Sequence, residues 1–116
     1  MAAIDLGTNT VRLLVADVRG DGGAWQPVVA DQRVTRLGEG LAATGRLAAA
    51  AMARTADAVA GYVARARAAG AERVVVVATS AVREAANGAE FAAALRDRTG
   101  ATVRIVDGDE EARLTV

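Results

Sequence analysis

The chain has no cysteine, no histidine and no lysine, a single proline, and three aromatic residues among 116. Without cysteine there is no disulfide framework, no thiol nucleophile and no thiolate metal site. With Trp25, Tyr62 and Phe91 as its only aromatics, the core must be built from small and β-branched side chains. All fourteen basic residues are arginine and fourteen acids balance them. A zero net charge with no basic block argues against a nucleic-acid footprint. No segment approaches the roughly 20 apolar residues of a membrane span. The start, MAAIDLG, lacks the charged n-region of a signal peptide. The expectation is one soluble, cytoplasmic domain, long enough to bury a sizeable core.

What is present is a clear alternation of apolar runs and turns. AAIDL (2–6) and VRLLVADV (11–18) flank the polar turn GTNT (7–10) and read as a β-hairpin. RGDGG (19–23) is a second turn, and 24–37 a third strand in which Pro27 points to a sheet edge or a late start. Residues 38–46 read as a loop. From Leu47 to Ala69 the apolar positions recur at helical spacing, and Gly70 closes the helix. RVVVVAT (73–79) is a continuous β-branched run, the pattern of a parallel strand buried on both faces. Residues 80–100 give a helical turn and then a helix capped by Asn87 and closed by Gly100. TVRIV (102–106) is a last strand and 107–116 begins another helix. An antiparallel meander followed by parallel βα units predicts an α/β fold, a mixed five-stranded sheet with flanking helices.

Three stretches could carry chemistry. In IDLGTNT (4–10), Gly7 would let backbone N–H groups approach an anion, and Asp5 could hold a metal ion. Thr8, Asn9 and Thr10 add hydroxyl and amide donors; an ordinary hairpin turn explains the same residues. In ATSAVREA (78–85), Arg83 could clamp a phosphate beyond a strand's carboxyl end, or be solvated or paired with Glu84, with Ser80 a helix cap. In DGDEEAR (107–113), Asp107 and Glu110 fit a capping box and acids suit a helix's first turn. Glu111 is left over, at a position where a general base could take a proton from water.

Together AAIDLGTNTVRLLVADV, RVTRLGEGL, TGRL, VVVVATSAVREAANGAEF and VRIVDGDEEARL resemble, in that order, the N-terminal domain of the exopolyphosphatase and guanosine pentaphosphate phosphatase (Ppx/GppA) family. The resemblance implies a ribonuclease-H-like lobe of the actin-like ATPase superfamily, spanning 1–116, with a second lobe not contained in the chain. It implies that Gly7, Thr8, Asn9 and Thr10 surround a phosphate and that Asp5 sits near Mg²⁺. Arg83 would contact substrate phosphates, and Glu111 would be the base that activates water. The implied substrates are polyphosphate or guanosine penta- or tetraphosphate. The family's second glycine-rich phosphate loop, Asp-x-Gly-Gly-Gly-Ser, does not occur here, so the chain alone is expected to be inactive. Leu114 and Val116, at the end of a helix that should continue against the second lobe, lead to the expectation that it self-associates as a homo-oligomer. Ala48 stands where the family usually has a Ser cap, an expected loss of about 1 kcal/mol at that helix start. Asp107 replaces a small polar residue and makes the stretch more acidic. An ATPase or sugar-kinase type of lobe, and a non-catalytic nucleotide-sensing domain, remain the alternatives.

Overall fold

A computed structural model describes residues 1–15 and 28–106. The turn at 19–23, the start of the third strand with Pro27, and the acidic stretch 107–116 with Glu111 lie outside the described residues. Strands β1 (Ala2–Leu6), β2 (Thr10–Val15) and β3 (Val28–Val34) form the antiparallel meander. A one-turn helix α1 (Leu41–Thr44) and the long helix α2 (Ala49–Ala68) precede β4 (Val74–Ala78). Helices α3 (Ser80–Glu84) and α4 (Gly88–Thr99) lead into β5 (Thr102–Ile105). The sheet order is β3-β2-β1-β4-β5, with β4 parallel to both β1 and β5. The mixed five-stranded sheet is therefore as expected, and β3 is indeed an edge strand.

Strand alternation sets which residues face the helices. Ala2, Ile4 and Leu6 on β1, Val11 and Leu13 on β2, and Val74, Val76 and Ala78 on β4 are buried and join one core cluster. α2 contributes Thr55, Val59, Tyr62, Val63 and Ala66 at helical spacing, and α4 adds Phe91, Ala92 and Leu95. The alternate residues of β4, Val75 and Val77, are only half-buried. Burial of that strand on both faces, as the β-branched run suggested, is thus corrected to one closed face. On β1 the half-buried position is Asp5, cross-strand from Arg12.

Two further departures have local causes. Asn87 does not cap α4 with its side chain. Its Oδ1 instead accepts from the Leu47 amide at 2.8 Å, and its Nδ2 donates to the Leu47 carbonyl at 3.1 Å. Leu47 is buried, so its peptide groups need partners there, and a primary amide offers both a donor and an acceptor. That pairing also explains why α2 begins at Ala49 rather than Leu47. The second departure is α1, inside the stretch read as a loop: Gly40 and Gly45 flank it at φ 78° and 71°, and four residues are too few to show a helical period. At the far end of α2, Gly70 (φ 93°) and the Ala71 amide bonded to the Ala66 carbonyl make the expected glycine stop.

Candidate phosphate-binding site

Because β1 and β4 run parallel, their carboxyl ends lie side by side, with Leu6 opposite Ala78. The loop Gly7–Asn9 and the start of α3 therefore leave the sheet at the same edge, where open α/β sheets bind ligands. Thr79 fastens them: its amide and its hydroxyl both donate to the Leu6 carbonyl, each at 3.2 Å. One residue further on, the Ser80 and Thr8 hydroxyls are 3.0 Å apart. Ser80 is thus used to join the two loops rather than as a helix cap.

The loop itself has a one-sided hydrogen-bond pattern. Gly7 N–H closes the turn on the Thr10 carbonyl at 3.1 Å, and a Cβ on Gly7 would lie 3.0 Å from that oxygen. A side chain here would crowd that oxygen, which glycine avoids. The Asn9 carbonyl accepts from both Thr35 and Arg36 amides, at 2.9 and 3.0 Å. The Thr8 carbonyl accepts from Gly38 at 2.9 Å. Both carbonyls are thereby turned onto the segment after β3, whereas the Thr8 and Asn9 amides donate to no acceptor among the described residues. Held carbonyls and uncommitted N–H groups in a tight turn are what an anion requires of a backbone.

The segment that holds the loop was visible only as the motif RVTRLGEGL, and its bracing role was missed. Arg54 on α2 anchors it from behind, with Nε donating to the Thr35 carbonyl at 3.1 Å and Nη2 to Glu39 Oε2 at 2.8 Å. Gly38 packs so close to Thr8 that a Cβ there would collide with the Thr8 Cγ2 methyl. Arg36 takes a φ of 52° to aim its amide at Asn9, and is the one non-glycine residue with positive φ among those described.

The remaining predicted residues are placed as follows. Arg83, exposed on α3, donates from Nη1 to the Val106 carbonyl at 2.7 Å. It therefore neither pairs with Glu84 nor stands unpaired. Val106 in turn donates to the Ala78 carbonyl at 3.0 Å, so Arg83 grips the last described residue before Asp107. Asp5 has the Arg12 guanidinium at 3.9 Å, and its side chain is 34% exposed. No cluster of three or more potential metal ligands occurs among the described residues. The fit to Mg²⁺ is then that of a single carboxylate, with most of the ion's oxygens coming from phosphate and water, a common arrangement for this ion. Glu111 lies outside the described residues.

The model of the Ppx/GppA phosphatase family matches residues 14–116. Exopolyphosphatase 2 of Mycobacterium tuberculosis is 44% identical over 123 residues, an alignment covering 99% of this chain and 38% of the relative. Guanosine-5'-triphosphate,3'-diphosphate pyrophosphatase of Photobacterium profundum is 35% identical, with 97% of this chain and 22% of the relative covered. Among solved structures, the Aquifex aeolicus member of the family superposes with a TM-score of 0.86 at 31% identity, over 97% of this chain and 36% of that one. An exopolyphosphatase from Cytophaga hutchinsonii gives 0.87 at 28%, again over 97% and 36%. The fold is thus the actin-like, ribonuclease-H-like one. The chain spans less than two fifths of the length of each of these proteins.

Proposed function

The chain belongs to the Ppx/GppA phosphatase family, and from that we propose that it is one phosphate-binding lobe of a hydrolase releasing orthophosphate from polyphosphate ends or from guanosine pentaphosphate. The observation that carries the reading is the loop at 7–9, where the Thr8 and Asn9 carbonyls are held while the Thr8 and Asn9 amides donate to no acceptor among the described residues. In this reading those amides, with the Thr8, Asn9 and Thr10 side chains, receive the terminal phosphate, and Gly7 gives it room. Arg83 neutralises charge on the phosphate oxygens with its remaining N–H groups. Asp5 would hold Mg²⁺, whose contribution is to offset charge on the phosphates. Glu111 takes a proton from water, the water oxygen bonds to the terminal phosphorus, and the bridging P–O bond breaks with its electrons on the leaving phosphate. Phosphoryl transfer depends on positioning and charge stabilisation from both sides, so the lobe needs a second one to complete the cleft. No helix among the described residues is long and apolar enough to cross a membrane. Cytoplasmic location and homo-oligomeric assembly belong to the same proposal.

The test is orthophosphate release from polyphosphate with Mg²⁺, measured on the 116-residue chain and on a protein extended through a second lobe. The extended protein should turn over and the short one should not. Turnover by the short chain within about tenfold of the long one, equivalent to roughly 1.4 kcal/mol of barrier, would refute the division of labour. Absence of turnover in the extended protein on both substrates would refute the activity.

A further inference from the structure

A cleft of about 440 Å³ is lined by Val34, Thr35, Arg36 and Glu39, from the segment that braces the 7–9 loop, and by Arg54 of α2. We propose that it is a second oxyanion subsite, which takes an inner phosphate of a chain whose terminal phosphate lies at Gly7–Thr10. The inference rests on the phosphate-loop reading for its choice of ligand, but its geometry is independent of that loop. Two observations carry it. Arg36 is exposed, and its guanidinium has no hydrogen bond or ion pair to any described residue. It is held in a left-handed conformation that a long side chain rarely adopts, and such outliers gather at functional sites.

Second, the charges leave a surplus. Arg36 and Arg54 bring two guanidinium groups and Glu39 one carboxylate, so the cleft carries one net positive charge. Glu39 stands over the site, bonded to Arg54 Nη2 at 2.8 Å, and opposes any anion. That pair is solvent-exposed on both sides (44% and 58%), so it is weak and open to competition. A phosphate displaces the Glu39 carboxylate from Nη2 and leaves the Arg54 Nε bond to the Thr35 carbonyl intact. Because the Thr35 and Arg36 amides are bonded to Asn9, an occupied cleft also steadies the loop that holds the terminal phosphate.

The probes are inorganic tripolyphosphate and orthophosphate, titrated into the 116-residue chain by calorimetry and by amide NMR shifts. Tripolyphosphate should shift Thr35 and Arg36 together with Thr8 and Asn9, and bind at least tenfold tighter than orthophosphate. Arg36→Ala should abolish that preference, and Glu39→Gln should strengthen tripolyphosphate binding several-fold. A merely structural Arg54–Glu39 pair predicts no gain on removing the carboxylate. Shifts confined to the loop, equal affinities for the two anions, or no gain in Glu39→Gln overturn the subsite and leave the phosphate-loop reading standing. Shifts confined to the cleft uphold the subsite and overturn the loop. No binding of either anion overturns both.

Discussion

The hydroxyls of Thr8 and Ser80 stand 3.0 Å apart although the two residues are separated by 72 positions in sequence. This contact joins the hairpin turn to the start of α3 at the point where two parallel strands end together. It gives Ser80 a use that neither capping nor solvation would give it. Ser80→Ala should cost about 1 kcal/mol of stability, the net value of one part-buried hydrogen bond. It should also weaken orthophosphate binding to the chain, because Thr8 loses its fixed orientation. Denaturant melts and calorimetry on the same variant check both. A stability loss with unchanged binding would make the contact purely structural.

Gly38 and Thr8 provide a second test by way of a clash and its relief. A Cβ at position 38 meets the Thr8 Cγ2 methyl, so Gly38→Ala should destabilise by about 1–3 kcal/mol through overpacking. Thr8→Ser removes that methyl and keeps the hydroxyl facing Ser80. The double variant should recover most of the loss, seen as a coupling energy in a double-mutant cycle. Additive losses would mean that the strain lies elsewhere.

Asp31 and Arg65 bind the edge strand to α2 through a 2.6 Å charge-assisted hydrogen bond. That bond, helped by the Gln32 amide, holds the Asp31 carboxyl below its usual range. A lowered folded pKa means that the pair stabilises the protein above the unfolded value of about 3.9 and that this is lost as pH falls through the folded one. The effect is small because the pair is exposed. Thermal melts from pH 7 down to 2 should show a flatter acid limb for Asp31→Asn than for the parent chain. Identical limbs would assign the pair no role in stability.

Much of the fold could be read from patterns with a physical period. Alternation in AAIDL and VRLLV, the β-branched run at 74–77 and the helical stripe from Ala51 to Ala66 each specify an element and its buried face. The sequence also located Gly7, Thr8, Asn9 and Arg83 at one sheet edge. What it could not show were contacts decided by tertiary neighbours. Asn87 was as good a cap as any Asn until Leu47 was found beside it, with peptide groups needing partners. Arg54 looked like one more solvated arginine on a helix, although it anchors the segment that braces the 7–9 loop. Charge-bearing side chains have no period that marks which carbonyl they will reach, so such second-layer roles become legible only with coordinates.

Arg83 offers the sharpest distinction between structural and chemical roles at the acidic stretch. It holds the carbonyl of Val106, the last described residue before Asp107. If Glu111 is the base, Glu111→Gln in the two-lobe protein keeps shape and hydrogen-bonding capacity but removes the proton acceptor. Loss of general-base catalysis typically lowers rate by about 10²–10⁴-fold. The loss should fall on kcat with KM little changed, because the proton moves only in the transition state. Glu110→Gln is the control: if that carboxylate serves only a helix start, as its capping-box spacing from Asp107 suggests, its loss should cost at most about 1 kcal/mol of stability and leave the rate nearly intact. Arg83→Lys keeps the positive charge but loses the guanidinium's fixed fork, so it cannot grip Val106 and a phosphate together. It should therefore raise KM as well as lower kcat, a signature that Glu111→Gln does not share. Steady-state kinetics on the three variants decides the assignment. Inactivation by Glu110→Gln instead would move the base one residue back, and full activity in both glutamine variants would reduce these carboxylates to an acidic helix start.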